Sequence, residues 1–530
     1  MSSCRDRILY VAGLTSILPI IFLISALQLT KSAGPQWLGT NFENSYAYLL
    51  NSLLLLKGEP PAHIDHPGTT TQLFGAACLR LSSLQSKHTL VNDVLNHPEA
   101  YIKRVHRALL WVTAFILWVT AIFVSFLSGD LLKGIALQAP VFFFPTIFHY
   151  TIWFGSDLTE VGLAVVAAGL CALLLTENVS GSRIVLHGLL GLICGLGMAT
   201  KLTFFPVILV ALVCVRSWKG LVPFVTTSIA GLALVLIPVY PEFPRIIRWI
   251  ADLTTHTGHY GSGEVGFVRP DQYLTDLGVL VRSESMIIVL PIGSLILAVV
   301  IALFALKNAH ERSAGSLLPR MFLLVLVQAI GLLLVAKHAS LHYLIPLYLT
   351  LSLNLILLIK TIGTINEGAA QRGFLVLLCG LVIAGGLWAG SRTLEANEIL
   401  KRVRNEQLEI YRIARISPIG VPRVDYYRSP TPEFAFCFGN DFARRAFSKR
   451  LKERFPTALF FNIFNGKFVE DFDRFIDPPE FFSRHPQVLF FGNGGILLPD
   501  ALKELTQSEA GNLVELQRRG QWDIDAWFRR

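Results

Sequence analysis

From residue 8 to residue 390 the chain is a succession of apolar runs, most of them long enough to cross a bilayer. A hydrocarbon core about 30 Å thick requires roughly 17–25 mostly apolar residues per helix. Runs that meet or approach this are 8–27, 106–127, 132–149, 157–176, 184–200, 202–216, 222–240, 286–306, 321–336, 343–360 and 373–390. They predict a polytopic α-helical membrane protein with about 11 transmembrane helices. Runs 184–200 and 202–216 are short, and only Thr200-Lys201 divides them, so a single long kinked helix competes with two spans there. The first run follows Arg5 and Arg7. It is long for the core of a signal peptide and has no clear small-residue cleavage site, so a retained first span is expected.

Composition supports this class. Apolar residues make up 53% of the chain and charged residues only 16%. Soluble domains carry about 25% charge. A soluble multidomain enzyme and a disordered chain are both excluded. The net charge of +9 does not call for a nucleic-acid partner, because Lys and Arg accumulate in cytoplasmic loops and set orientation. With the N-terminus inside, the inner loops receive Lys133, Arg183, Arg216, Lys219, Lys307, Arg312, Arg320 and Arg372. The outer side then holds loops 28–105 and 241–285 and all of 391–530. The seven cysteines show no paired spacing that suggests a disulfide framework or a zinc site.

The transmembrane domain is thus 1–390, and 391–530 is a small C-terminal α/β domain outside the membrane. A helix is expected over 393–413, and apolar runs at 433–438, 458–464 and 488–491 end in turn residues and read as strands. Helical patterns at 441–454 and 498–508 suggest a mostly parallel sheet.

Ionisable residues at membrane depth are costly, so each is a functional candidate. The first outer loop carries Asn41-Phe42-Glu43-Asn44-Ser45-Tyr46 and then His63-Ile64-Asp65-His66-Pro67-Gly68. Residues 43–56 read as an amphipathic helix lying on the membrane, with Glu43 and Tyr46 on one face. His63, Asp65 and His66 are either part of a metal site or a Pro-Gly turn. Gly155-Ser156-Asp157-Leu158-Thr159-Glu160 opens a span at its outer end, with Asp157 either a helix cap or an active carboxylate. Gly191 and Gly195 form a small-residue face for close helix packing. Lys201 lies on the outer side, against the charge bias, where it either snorkels or meets an anionic headgroup. Lys337 and His342 fall in a short outer turn at the same depth, before Tyr343-Leu344-Ile345-Pro346. Loop 241–285 is a lid or a linker, with Arg245, His256, His259 and a Gly-rich turn at 258–266.

Taken in order, these pieces resemble the GT-C glycosyltransferase superfamily, in the branch of protein mannosyltransferases and lipid A aminoarabinose transferases. The resemblance spans roughly residues 8–360. It implies transfer of a sugar from a polyprenyl-phosphate donor to a lipid, glycan or protein acceptor at the outer face of a bacterial plasma membrane. In that reading Glu43 and Asp157 are catalytic carboxylates. Lys201, Lys337 and His342 hold the donor phosphate, and Tyr46, Asp65 and His66 contact substrate. The family more often has Arg where His342 stands, and Asp-Glu where this chain has Phe42-Glu43. No cofactor is implied, and a divalent metal is optional. A transporter or flippase of lipid-linked sugars is the alternative, although the two halves show no inverted repeat. Eleven spans exceed what a mere anchor for the C-terminal domain requires.

Overall fold

The computed structural model describes residues 4–39, 42–64, 68–82, 86–177, 183–215, 217–258, 261–306, 317–364, 369–415, 421–463, 465–493, 511–519 and 522–529. Eight helices among them are long and apolar enough to cross a membrane: Ile8–Ala33, Pro98–Ser128, Ser156–Thr176, Arg183–Thr200, Trp218–Thr255, Met286–Leu303, Leu318–His338 and Leu341–Ile362. Two shorter apolar segments, Leu131–Phe143 and Leu202–Cys214, lie where spans are expected. The last expected span, 373–390, forms the first half of the helix Ala369–Ala414, whose second half contains the charged stretch 393–413.

The segment after Gly129 is built in pieces. Asp130 caps its start, accepting from the Leu132 N–H at 3.0 Å. Pro140 and Pro145 then divide it into Leu131–Gln138, Pro140–Phe143 and Pro145–Tyr150. Proline lacks the N–H that would continue a helix and forces the preceding residue toward an extended conformation, as Phe144 shows (φ −121°, ψ 97°). One end of the segment is tied to the C-terminal end of Ser156–Thr176 by Lys133, 2.7 Å from Glu177. Past its other end, the Thr151 carbonyl bonds His106 Nε2 at 2.8 Å.

The choice between one kinked helix and two spans at 184–216 is resolved by helix direction. A Cβ on Gly191 would lie 2.1 Å from the Phe224 carbonyl oxygen, and one on Gly195 would lie 2.2 Å from that of Ser228. Earlier in both helices, Gly220 meets the His187 ring. Contacts therefore advance together, and Arg183–Thr200 runs parallel to Trp218–Leu236. Two parallel neighbours require a return crossing, which Leu202–Cys214 supplies. The small-residue face is the device that lets the parallel backbones approach.

Cations that charge bias assigns to one side of the membrane converge on the end of Ser156–Thr176. Lys133 pairs with Glu177, Arg183 donates to the Glu177 carbonyl at 3.2 Å and Arg320 to that of Leu175 at 3.2 Å. Lys360 donates to the Thr176 carbonyl. The last carbonyls of a helix are unsatisfied and carry its negative dipole end, so cations belong there. That residues assigned to one side by charge bias meet in space supports the order of crossings.

The C-terminal domain is built on a seven-stranded sheet in the order β4-β3-β2-β1-β5-β7-β6. Its strands are β1 Arg423–Asp425, β2 Leu459–Asn462, β3 Lys467–Glu470, β4 Arg474–Ile476, β5 Gln487–Gly492, β6 Gly511–Arg519 and β7 Trp522–Arg529. Only β1 pairs in parallel, with β2 and β5; the remaining pairings are antiparallel. The sheet is therefore mixed, not mostly parallel. Residues 433–438 are helix rather than strand. Thr431 accepts from the Phe434 N–H at 3.1 Å and Pro432 opens the helix Pro432–Asp441. A short apolar run has no periodicity with which to separate strand from buried helix. In place of a helix over 441–454, turns containing left-handed Arg444 and Arg445 lead to Ser448–Arg454. The pattern at 498–508 lies outside the described residues.

In β1, Arg423 Nε lies 2.9 Å from Asp425 Oδ1, and Thr431 Oγ1 donates to Asp425 Oδ2 at 2.7 Å. Burial outweighs the Arg423 charge and pushes the Asp425 carboxyl up to about 6.

Candidate active site

Helix Phe42–Lys57 is buried along most of its length rather than lying on the membrane with one face in solvent. It packs between the helix Thr69–Leu81 and the C-terminal domain. On the domain side, the Tyr46 ring meets Phe436 edge-on at 5.0 Å, and a Cβ on Gly439 would lie 2.9 Å from Tyr46. Asn51 ties three pieces together. Its Oδ1 accepts from the N–H groups of Ala62 (2.7 Å) and His63 (3.0 Å), while its Nδ2 donates to the Phe442 carbonyl (3.1 Å). The His63 ring lies between those of Tyr48 (5.2 Å) and Phe442 (4.7 Å).

The first outer loop thereby reaches the break between Arg183–Thr200 and Leu202–Cys214. Gly68 (φ +65°) donates its N–H to the Thr200 carbonyl at 3.0 Å. A Cβ there would lie 2.9 Å from the Tyr48 hydroxyl oxygen, so both backbone angle and space favour glycine. Thr71 and Thr159 hydroxyls bond at 2.7 Å, joining Thr69–Leu81 to Ser156–Thr176. The Tyr48 hydroxyl is bonded to Ser156, and burial raises its pKa.

At this junction Lys201 Nζ lies 2.6 Å from Asp157 Oδ1, with side-chain exposures of only 2% and 4%. Asp157 is in the first turn of its helix, where a carboxylate also meets the positive dipole end. One turn on, Glu160 is fully buried and accepts from Thr203 Oγ1 at 2.8 Å. Its Oε2 has no hydrogen-bond partner among the described residues, and its carboxylate interacts electrostatically with both Asp157 and Lys201. The Lys201 ammonium also lies 5.1 Å from the Tyr343 ring centroid. His342 is within electrostatic reach of Lys201, stacks on Tyr150 at 4.7 Å, and has Nδ1 2.6 Å from Ser340 Oγ. Beside this cluster is a cavity with mainly apolar walls, among them Leu202, Phe205, Pro206, Trp249 and Val335. Thr203 and Tyr343 line the same cavity, so its polar end is contiguous with the buried charges.

Asp157, Lys201 and His342 are thus brought to one place. Lys337 is directed elsewhere, donating to the Leu253 carbonyl at 2.6 Å and lying over Phe267 at 4.3 Å. Loop 241–285 is mostly helical, as Phe243–Thr255 and Pro270–Ser283, so Lys337 closes the end of the first of these. Tyr46 donates to Glu99 Oε1 at 3.1 Å, in a second buried cluster where Glu99 also accepts from the Gln36 (2.9 Å) and Trp37 (3.1 Å) N–H groups. Glu43 lies in the first turn of Phe42–Lys57, and its side chain is outside the described residues, as are Asp65 and His66. No group of three or more metal-ligating side chains occurs among the described residues. Glu160, Thr203 and Asn51 were not foreseen as site residues. Glu160 follows Asp157 at i+3, a spacing that places both on one helix face.

These features define the chain as a polytopic α-helical membrane protein with a buried, charged site at the junction of its helices with the first long loop, and with a small C-terminal sheet packed on that loop. No family model and no curated protein matches the chain. Two solved structures overlap it: ArnT from Cupriavidus metallidurans bound to undecaprenyl phosphate, and the same protein in the apo state. Identity is 12% in both, over 96% of this chain and 97% of that one, with TM-scores of 0.48 and 0.49.

Proposed function

We propose that the protein is a glycosyltransferase that takes a sugar from a polyprenyl-phosphate donor and passes it to an acceptor at the extracytoplasmic face. The observation that carries this reading is the buried Lys201–Asp157 pair beside an apolar cavity, to which Thr203 and Tyr343 connect it. An apolar cavity next to a buried ammonium fits a ligand that is a hydrocarbon chain ending in a phosphate. Lysine offers phosphate a compact charge without demanding bidentate geometry.

The pair also supplies a means of activating the acceptor. When the donor phosphate enters, Lys201 exchanges Asp157 for the phosphate oxygens, and Asp157 becomes an unpaired carboxylate in a dry site. The acceptor hydroxyl or amine then attacks the sugar C1, and its proton passes to that carboxylate. The C1–O bond breaks with its electron pair leaving on the lipid phosphate, whose growing charge Lys201 stabilises. Glu160 is the reserve candidate for base, and His342 offers a further donor to the phosphate.

The test uses the purified protein with a labelled polyprenyl-phosphate sugar. Lys201→Ala should weaken donor binding and slow transfer, whereas Lys201→Arg should rescue in part. Asp157→Asn should bind donor but transfer it about 10²–10⁴-fold more slowly. Unchanged donor affinity in Lys201→Ala, or normal turnover in Asp157→Asn, would overturn the assignment.

A further inference from the structure

A second cavity, remote in sequence from this machinery, lies between the helix Lys87–Asn96 of the first outer loop and the helix Ser448–Arg454 of the C-terminal domain. Its volume is about 600 Å³ and its lining is predominantly polar. Asn92, Asn96, Lys449, Arg450 and Arg454 face it, with Glu453 the one acidic side chain. Two of the cations are held in place. Arg454 donates to the Leu95 carbonyl and lies over the Phe436 and Phe455 rings at 5.6 and 5.1 Å. Arg450 Nη2 lies 2.9 Å from His88 Nε2, while its Nη1 is buried without a hydrogen-bond partner among the described residues. A guanidinium N–H withdrawn from water with no acceptor is costly, and an anion in the cavity would satisfy it.

We propose that this cavity binds a phosphate-bearing ligand of about the size of a sugar, from the aqueous side. Arginine presents a planar fork that matches phosphate oxygens, and charge-assisted bonds of this kind are the stronger ones. The two asparagines offer donors and acceptors for hydroxyl groups beside the phosphate. The size exceeds that of a bare phosphate and falls within the range of small-molecule sites.

Position selects the aqueous side. The helix Pro98–Ser128 begins at the cavity's edge, and its outward apolar side chains start at Trp111, with Val112, Phe115 and Val119 following. At 1.5 Å per residue, Pro98 lies about 20 Å beyond Trp111 along the axis. The headgroup layer on one face extends only ~5–8 Å past the hydrocarbon. An ordinary phospholipid phosphate therefore does not reach the cavity. Lys103, Arg104 and Arg107 are exposed on the intervening turns and extend the positive surface toward the membrane.

The experiment measures equilibrium binding of glucose 1-phosphate to the full chain in discs of neutral lipid. Saturable binding is expected in the wild type. The double variant Lys449→Gln/Arg450→Gln should weaken it about tenfold or more. Glu453→Gln removes the one opposing charge and should tighten it about two- to threefold. Lys401→Gln should leave it unchanged, because that cation of the helix Ala369–Ala414 does not line the cavity. Adding phosphatidylglycerol to the discs should not displace the ligand. Absence of saturable binding in the wild type would overturn the proposal. So would wild-type affinity in Glu453→Gln, or equal loss in Lys401→Gln. Displacement by phosphatidylglycerol would overturn the aqueous-side assignment.

Discussion

Removing one partner of the Lys201–Asp157 pair should destabilise the protein far more than removing both. The contact is 2.6 Å long and both side chains are almost wholly buried. Breaking such a pair from one side leaves an uncompensated charge and costs about 3–5 kcal/mol, whereas replacing both charges by groups of similar volume is often neutral. Glu160 makes the two single variants unequal. Lys201→Met leaves Asp157 and Glu160 as neighbouring carboxylates with no cation, so its loss should fall at the upper end of that range. Asp157→Asn leaves Lys201 with Glu160 as a substitute partner, and its loss should fall at or below the lower end. The double variant Asp157→Asn/Lys201→Met should recover to within about 1–2 kcal/mol of wild type. The assay is unfolding of the purified protein in mixed micelles, followed by tryptophan fluorescence, with glycosyl transfer measured on the same samples. Transfer should be lost in all three variants, although the double variant is well folded. Single variants that both lose less than about 1 kcal/mol would show that the pair is solvated. A double variant that regains transfer along with stability would show that the pair is structural only.

Two further outcomes follow from the architecture. A reporter fused after Arg392 should be extracytoplasmic, on the same side as loop 28–105, because the domain beyond it packs on that loop through Asn51, Arg450 and Arg454; a cytoplasmic signal would break the order of crossings. Asp425 is held at about 6, above the ordinary carboxyl value near 3.9. Between about pH 4 and 6 the folded state therefore binds more protons than the unfolded one, and stability falls as pH rises through that window, then levels off. Set against Asp425→Asn, which cannot titrate, the wild type should lose up to about 3 kcal/mol of relative stability from pH 4 to pH 7; parallel curves for the two proteins would refute the assignment.

How much of this architecture could be read beforehand depended on segment length. Long apolar runs such as 8–27 and 286–306 identify themselves, because no other stable structure buries some twenty mostly apolar residues without charge. The segment at 202–214 is legible as apolar but ambiguous as a crossing. It is short, and only the parallel course of its two neighbours calls for a return there. The C-terminal domain was the least legible part. Strand pairing joins residues far apart in the chain, as Val424 with Leu459 and Phe490, and nothing in a three-residue strand such as Arg423–Asp425 announces its partners. The run 433–438 was misread for a local reason: the cap at Thr431 and the proline after it outweigh the absence of helical periodicity.

The candidate site was legible where a charge stood out of place. Lys201 attracted notice because lysine is disfavoured on the outer side, and the structure gives that position a reason. A helix break frees backbone groups that need partners, and at this one the Thr200 carbonyl takes the Gly68 N–H while the extended Lys201 points its side chain at Asp157. The Lys337 ammonium, equally out of place in the sequence, instead closes the end of Phe243–Thr255. Charge bias identifies which residues are unusual, but only the fold says which unusual residues meet. Glu160 illustrates the converse. A carboxylate in the second turn of an apolar helix looks like an extension of the cap, and its importance depends on Thr203, 43 residues away and across the break. The chemistry of the site therefore rests on two adjacent structural devices, a capped helix start and an interrupted hairpin. Moving the interruption by even one residue would swing Lys201 about 100° around the axis of its helix, away from Asp157.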